Sequence, residues 1–276
     1  MGPDPDDEDE PPPELADPSG EDDLARDDDD APDEGEGEEA LRLRLLLELI
    51  GRARRRRRPP APPPFPPATS ADAAGLVAWG GRLDPDLVLD AYRRGIFPMA
   101  DPSGEIGWWS PEPRVVIDFL APGGFHVPRR LARTVRQGRF ELRLDAACAE
   151  VIAACADRDE TWIDDRVAAC YLELHRRGVV HTVEAWQDGR LAGGLYGVAL
   201  GGAFFAESMF HRVTDASKVA VVGLVERLRA RGYALLDIQM VTGATAIFRP
   251  RALRRRDYLE RLAGALGLAC SFVDPT

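Results

Sequence analysis

The side chains most suited to chemistry lie in a short apolar segment near the C-terminus, where Asp237 and Gln239 alternate with Leu236, Ile238 and Met240. Because successive side chains of a strand point to opposite faces, the pattern places the carboxylate and the carboxamide together, away from the three apolar residues. Polar groups inside a core need partners or a pocket. Such a pair can hold and orient a polar ligand, although a strand with one solvated face gives the same pattern.

A second carboxylate, Glu207, ends the apolar run 203–206. A carboxylate at the end of a core strand is costly unless it is paired. Its partner is expected to be either a cationic substrate or, in a structural bridge, Arg212 or Lys218.

A basic stripe follows Pro128, where Arg129, Arg133 and Arg136 are spaced to share one helical face. Such a stripe suits the regular negative charge of a nucleic-acid backbone, and a solvated basic face is the ordinary alternative. Trp162 is either a core residue or a platform for a nucleobase, a stacking contact worth about 1–3 kcal/mol.

Other motifs are less informative. The glycine-rich stretch 193–197 lies inside predicted strands, which excludes a P-loop or a dinucleotide fingerprint and indicates a bulge or close backbone approach. The four cysteines lack C-x-x-C spacing and are expected to be buried thiols, and no metal site is expected. The four histidines suit packing or surface positions: His126, His175, His181 and His211.

The elements that must position these residues are marked by cap and turn residues. Asp84-Pro85 begins a helix, Asp145 is expected to cap another, and residues 96–114 read as a loop-rich segment. Strands are predicted over 181–186, 191–198, 203–207 and 235–241, and helices over 165–177 and 216–231. An antiparallel meander followed by a helix that crosses to a fourth strand predicts an α+β sandwich of the acyltransferase type.

Charge separates the N-terminal region from the rest. Residues 1–40 hold 20 acidic side chains and one arginine, and residues 41–70 hold eight arginines and one glutamate. We expect residues 1–70 to form a disordered acidic, Arg-rich and Pro-rich extension, with a short helix over 41–58 and a polyproline spacer over 59–67. No apolar run reaches the roughly 18 residues of a membrane span, and the acidic start does not resemble a secretory signal, so a cytoplasmic location is expected.

Several blocks resemble the leucyl/phenylalanyl-tRNA–protein transferase family and occur in family order between about 75 and 260. They are G-L-V-A-W-G-G-R-L-D-P-D-L-V-L-D-A-Y-R-R-G-I-F-P (75–98), W-W-S-P-E-P-R (108–114), T-W-I (161–163), E-A-W-Q-D-G-R-L-A-G-G-L-Y-G-V-A-L-G (184–201), E-S-M-F-H-R-V-T-D-A-S-K-V-A (207–220) and L-L-D-I-Q (235–239).

The resemblance implies a function. The family moves Leu or Phe from aminoacyl-tRNA to the α-amino group of proteins that begin with Arg or Lys, which creates an N-degron for proteolysis. It implies no metal and no cofactor, and a monomer is expected. The implied fold is a small N-terminal domain over 71–112 and an N-acetyltransferase-like (GNAT) domain over 113–276 with a mainly antiparallel sheet.

The resemblance also assigns roles to matching positions. Asp237 and Gln239 match the catalytic pair, and Glu207 matches the residue that holds the acceptor. The aminoacyl side-chain pocket falls on Leu195 and Ile238. The residues implied to contact tRNA are Arg129, Arg133, Arg136, Trp162 and Met99, where Met99 replaces a tryptophan common in the family.

The chemistry of these side chains fits aminolysis of an activated ester. An α-amino group has an unperturbed pKa of about 7.7–8, so a useful fraction is neutral near pH 7. Gln239 is not a base, but its amide can accept a hydrogen bond from the amine, with Asp237 polarising or fixing the amide. Asp237 and Glu207 also suit a cationic acceptor. Positioning of the two substrates should supply most of the rate.

One segment departs from the family pattern, which usually reads T-P-H-L-x-S-L-G where this chain has residues 242–249. Ala244 replaces the histidine and Arg249 replaces the glycine, which predicts a changed loop and bears on acceptor preference.

Two alternative functions remain. An acyl-CoA-dependent N-acyltransferase needs a Gly-rich pyrophosphate loop, whereas 212–217 has no glycine and contains Asp215. The second alternative is a tRNA-binding relative that has lost its activity.

Overall fold

The structure is a computed structural model that describes residues 65–101, 103–158 and 161–274. The acidic and Arg-rich parts of the predicted extension, the predicted helix over 41–58 and most of the predicted polyproline spacer lie outside these residues.

The described chain begins with a three-stranded antiparallel sheet. Its strands are β1 (Leu76–Trp79), β2 (Phe97–Ala100) and β3 (Ile106–Trp109), in the order β1-β3-β2, with α1 (Pro85–Arg93) between β1 and β2. Asp84 caps α1 as predicted, since its side chain accepts from the backbone N–H groups of Asp86 and Leu87.

The prediction that 96–114 is a loop-rich segment was wrong, because β2 and β3 lie within it. Each strand has four residues and is bounded by turn-forming residues that dominate the local pattern. Pro98 is tolerated in β2 because that strand lies at the edge of its sheet.

The remaining strands form a seven-stranded sheet in the order β10-β4-β9-β8-β7-β6-β5. All neighbouring pairs are antiparallel except β8 and β9, which are parallel. The predicted α+β class and the predicted meander and helical crossover are confirmed. The strands are β4 (Arg114–Ile117), β5 (Glu141–Leu144), β6 (Val180–Gln187), β7 (Arg190–Leu200), β8 (Ala203–His211), β9 (Leu235–Gln239) and β10 (Arg251–Leu253).

In the part of the chain that the structure describes, six helices accompany this sheet: α2 (Arg129–Arg136), α3 (Cys148–Ala156), α4 (Asp165–Arg176), α5 (Ala216–Ala230), α6 (Gly243–Ala246) and α7 (Arg255–Leu266). Asp145 does not cap α3 as predicted. It has a φ of 54° and accepts instead from the backbone N–H of Thr182, while its other oxygen lies 2.7 Å from Nδ1 of His181. Glu184 accepts the N–H of Ala147 at the start of α3.

Two apolar clusters cover the two faces of the large sheet. Along β7, Tyr196 belongs to the first cluster and Leu195 to the second, as strand alternation requires. The first cluster also contains Trp108 and Phe65, whose rings are 4.8 Å apart. Phe65 and Ala68 are 3% and 4% exposed, so the core includes residues from the sequence that was assigned to the extension.

A β-bulge follows from the glycine-rich stretch of β7, as predicted. A Cβ at Gly197 would collide with the backbone oxygen of Phe205, so only glycine fits there. The register shifts at this point: Gly197 pairs with Ala206 and Tyr196 with Ser208, which leaves Glu207 as the extra residue of β8. The bulge therefore sets the direction of the Glu207 side chain.

Two glycine substitutions should have opposite effects on stability. Gly197→Ala is expected to lower the free energy of unfolding by about 1–3 kcal/mol because its methyl group meets backbone. Gly264→Ala, in the exposed middle of α7 with nothing within 4 Å of the new methyl group, is expected to raise it by about 0.5–1 kcal/mol. Urea unfolding of both variants measures this, and an equal effect at the two positions would contradict the bulge.

Candidate active site

The carboxylate of Asp237 lies at the centre of a buried hydrogen-bond network at the end of β9. Asp237 is 0% exposed. Nε and Nη2 of Arg114, on the adjacent strand β4, donate to it at 3.0 and 2.7 Å. The Tyr258 hydroxyl donates to Oδ2 at 2.7 Å, and the backbone N–H of Gln239 donates to Oδ1 at 2.8 Å. These donors satisfy both carboxylate oxygens.

Arg114 is equally buried, at 0% exposed. Its guanidinium carbon lies 4.7 Å from the ring centres of Phe97 and Tyr258. Burial by itself lowers the pKa of Arg114, but the Asp237 carboxylate outweighs it and holds the pKa above its ordinary value. Asp237 is therefore paired with a cation of the protein itself, and the expectation that it suits a cationic acceptor needs correction because Arg114 occupies that position.

Gln239 ends β9 with a φ of 55° and is 7% exposed. A positive φ in a residue with a side chain costs about 1–3 kcal/mol, and the hydrogen bond from its N–H to Asp237 offsets this. The unusual backbone also ends the alternation of the strand. Leu236 and Ile238 pack in the second apolar cluster as predicted, whereas Met240 packs against the first.

Glu207, delivered by the bulge, holds the carboxamide of Gln239. Nε2 of Gln239 donates to Oε1 of Glu207 at 2.9 Å, and the Tyr171 hydroxyl donates to Oε2 at 3.2 Å. The hydroxyls of Tyr171 and Tyr92 lie 2.6 Å apart. The prediction that Asp237 fixes the amide therefore needs correction: Asp237 fixes the backbone of Gln239, and Glu207 fixes its side chain.

Burial raises the pKa of Glu207 to about 7, although hydrogen bonds from the neighbouring tyrosines oppose the rise. Because its Oε1 accepts from the amide nitrogen of Gln239, the amide oxygen points away from Glu207. The arrangement can thus accept a hydrogen bond from an incoming N–H group.

The predicted basic stripe is exposed. Arg129, Arg133 and Arg136 lie on α2, whose inner side buries Leu131 and Thr134. The Thr134 hydroxyl donates to Asp215, the residue before α5, at 3.4 Å. The helix and its exposed arginines are as predicted, and contact with nucleic acid stays a prediction.

The two predicted base-contacting residues are placed differently. Trp162 is half-buried, and its ring packs edge-on against Tyr171 with the ring centres 6.5 Å apart. Because Tyr171 donates to Glu207, Trp162 is linked to Glu207 through this one residue. Met99 is 6% exposed within the first apolar cluster, so little of its side chain is open to a base. Trp108 and Trp109 are core residues.

The two residues predicted to line an aminoacyl pocket share an apolar surrounding. Leu195 is 2% and Ile238 is 9% exposed, and both belong to the second cluster with Phe248. Their face of the sheet is opposite to that of Tyr171 and Tyr196. Both lie in the same apolar cluster, and their pocket role stays a prediction.

Sequence reasoning missed four residues that hold the site: Arg114, Tyr258, Tyr171 and Tyr92. The one available signal was chemical, since a carboxylate on a buried strand requires a cationic partner. Arg114 is separated from Asp237 by 123 residues, so local spacing could not select it among the many arginines.

Several other expectations can be compared with the structure. Cys148, Cys155 and Cys170 are buried free thiols as predicted, and Cys270 is partly exposed. Within 65–101, 103–158 and 161–274, no group of His, Cys, Asp and Glu could hold a metal ion. Across the same ranges, no helix is long and apolar enough to cross a bilayer.

Comparison with known proteins gives consistent matches. The family profile described as leucyl/phenylalanyl-tRNA protein transferase matches residues 119–263, and the profile of its N-terminal domain matches residues 81–112. A leucyl/phenylalanyl-tRNA–protein transferase from Gloeobacter violaceus is 51% identical over 191 residues, which is 69% of this chain and 97% of the relative.

Other matches extend this comparison. A transferase of the same name from Rubrobacter xylanophilus is 50% identical, over 69% of this chain and 99% of its own length. One from Anaeromyxobacter sp. strain K is 48% identical, over 73% of this chain and 88% of its own length. A solved DUF2156 domain from Agrobacterium fabrum is 14% identical and matches 65% of this chain and 61% of its own. Its TM-score of 0.32 is too low to assign a fold.

Relatives about half identical to this chain match it over nearly their whole length, and the profile match includes Glu207 and Gln239. The chain therefore belongs to the leucyl/phenylalanyl-tRNA–protein transferase family.

Proposed function

We propose that this protein transfers Leu or Phe from aminoacyl-tRNA to the N-terminal α-amino group of proteins that begin with Arg or Lys, which marks them for proteolysis. One observation carries the proposal within this family: the Gln239 carboxamide, at the end of a buried strand, is held between Glu207 and the anchored Asp237 with its oxygen turned away from Glu207.

The proposed reaction needs little from the protein beyond positioning. The acceptor nitrogen attacks the ester carbonyl carbon, the bond from that carbon to the ribose oxygen breaks, and the proton lost by nitrogen ends on the ribose oxygen. The ester is already an activated acyl donor, so holding both substrates in reacting geometry supplies most of the rate.

Gln239 is the catalytic residue of this proposal, because its amide oxygen accepts a hydrogen bond from the amine and directs the nitrogen lone pair at the ester. Asp237 acts through Gln239 and is a positioning residue, since its buried oxygens are used by Arg114, Tyr258 and the backbone. Acceptor contact by Glu207 stays part of the family-based proposal.

The tRNA is proposed to lie along the exposed arginines of α2, Arg129, Arg133 and Arg136, with its terminal base near Trp162. The packing of Trp162 on Tyr171 supports this, because Tyr171 donates to Glu207 and a base on Trp162 would lie near Gln239. Leu195 and Ile238 are proposed to line the aminoacyl pocket, and a base contact by Met99 requires its side chain to move from the core.

The fold from 113 onward is proposed to be N-acetyltransferase-like, with 71–112 as a separate small domain. The parallel pairing of β8 and β9 across α5 supports the former, and the separate three-stranded sheet supports the latter. A cytoplasmic location follows from the proposed tRNA substrate, and the monomeric state stays a prediction.

The acyl-CoA alternative is less well supported. Asp215 occupies the position before α5 with a φ of 69°, which puts a carboxylate where a pyrophosphate would bind. A Cβ at Gly193 would lie 2.7 Å from Cβ of Ala216 and 3.0 Å from N of Ser217, so β7 packs tightly on the first turn of α5.

A break in the buried ion pair should destabilise the protein strongly. Arg114→Met leaves Asp237 buried without its cation, and the expected loss in unfolding free energy is about 3–5 kcal/mol. The matched control is Arg82→Met, because Arg82 is 89% exposed and lies 3.6 Å from Asp84, a pair worth about 0–1 kcal/mol. Denaturant unfolding compares them, and similar losses would contradict the anchoring role of Arg114.

Transfer should depend on the Gln239 amide. With labelled Leu-tRNA and an Arg-initiated acceptor protein, we expect Gln239→Ala to lower kcat by about 100-fold, in the range of a lost transition-state hydrogen-bonding group. Gln187→Ala, at the end of β6, is the control and should keep wild-type activity. Acetyl-CoA turnover by the wild type would favour the first alternative, and tRNA binding without transfer the second.

Loss of the α2 arginines should reduce the salt dependence of tRNA binding. Each phosphate contact contributes about 0.7–0.9 to the slope of log K against log salt, so triple alanine replacement of Arg129, Arg133 and Arg136 should reduce the slope by about 2–3. The control replaces three exposed arginines elsewhere, Arg82, Arg176 and Arg190. Equal reductions in both triple variants would contradict a binding face on α2.

A further inference from the structure

We infer that Glu207 is a positioning residue that fixes which end of the Gln239 carboxamide faces the acceptor amine, and that its ionisation favours amine transfer. The inference rests on the proposed function and assigns to Glu207 a duty other than contact with the cationic side chain of the acceptor.

The geometry strongly favours one orientation of the carboxamide while Glu207 is ionised. A carboxylate has no hydrogen to donate, so only the NH₂ end of the amide can face Oε1 of Glu207 at the observed 2.9 Å. A hydrogen bond to a charged group favours this orientation by a factor of roughly 10 to 100. The amide oxygen then points away from Glu207, where it can accept from the amine.

The surroundings of Glu207 restrict the carboxylate to this duty. Oε2 receives the Tyr171 hydroxyl of α4, which is itself bonded to Tyr92 of α1. Tyr196 of β7, Asp237 of β9 and Arg114 of β4 also act on it electrostatically. With one oxygen bonded to Gln239 and the other to Tyr171, the carboxylate is built into the protein before any acceptor arrives.

Protonation removes the preference of the amide. A neutral carboxyl group can donate or accept, so both ends of the Gln239 amide become acceptable partners. The reversed amide presents NH₂ to a nitrogen that must itself give up a proton, and this orientation is unproductive. Because burial raises the pKa of Glu207 to about 7, kcat should fall as the pH drops through that value.

The test measures kcat and KM against pH for the wild type, Glu207→Gln and Glu207→Ala, with an Arg-initiated and an Ala-initiated acceptor. Glu226→Gln is the matched control, because Glu226 is an exposed glutamate on α5. Use of two acceptors separates orientation of Gln239 from binding of a cationic side chain.

We expect Glu207→Gln to lower kcat about twofold above pH 7, because its amide lets Gln239 take either orientation equally. The acid limb of kcat that belongs to residue 207 should disappear, while the limb from the acceptor amine remains. Glu207→Ala should lower kcat by about tenfold or more, by the same factor for both acceptors. Melting of Glu207→Gln should show no loss of stability, since it removes a charge that burial disfavours.

Two results would overturn the inference: a rise in KM confined to the Arg-initiated acceptor with kcat unchanged, or a pH profile of kcat in Glu207→Gln with the same acid limbs as the wild type. A wild type that transfers neither amino acid would instead overturn the proposed function. The orientation remains testable then by NMR. The side-chain amide resonances of Gln239 should shift with a midpoint of about 7 in the wild type, and their failure to do so counts against the inference.

Discussion

The ion pair between Arg114 and Asp237 is the interaction on which the rest of the site depends. Neither side chain is exposed, so each charge is stable only because the other is present. The pair joins β4 to β9, Tyr258 of α7 donates to the same carboxylate, and the Phe97 ring of β2 covers the guanidinium. Elements of both sheets therefore meet at one charge pair. Gln239 is positioned by this pair, because its backbone N–H donates to Asp237.

Two backbone irregularities act with the ion pair to position Gln239 and Glu207. Gln239 has a positive φ that regular strand geometry forbids, and the bulge opposite Gly197 turns Glu207 out of the β8 register. Each irregularity has a local cause: the Asp237 carboxylate accepts the Gln239 N–H, and Gly197 has no Cβ. Together they bring a carboxamide and a carboxylate from neighbouring strands to 2.9 Å. Regular strands would have kept these groups in separate rows.

Local chemistry explains which features the sequence could predict. Asp84 before a proline predicted the start of α1, and alternation placed Leu236 and Ile238 in the core. These features depend on residues close together in the chain. Family blocks added the identity of the pair at 237 and 239, which alternation alone left open.

Features that depend on distant residues were beyond the same reasoning. The partner of Asp237 lies 123 positions away, and the amide of Gln239 is held by a residue 32 positions away. Alternation also assumes regular φ angles, so it misplaced Met240 after the turn at Gln239. Asp145 failed as a cap because a better set of donors, from β6, reaches it only in the folded protein.

The segment that departs from the family pattern is held in place by its own capping and packing. Thr242 and Thr245 form a reciprocal capping box around α6, and Arg249 takes a φ of 56°, a conformation that suits the glycine usual there. Phe248, fully buried, stacks on Phe125 at 5.3 Å. Phe125 precedes the basic helix α2, so the segment after Gln239 links the proposed reacting end to the proposed tRNA face. A change in its side chains can then alter contacts at either of the two proposed sites.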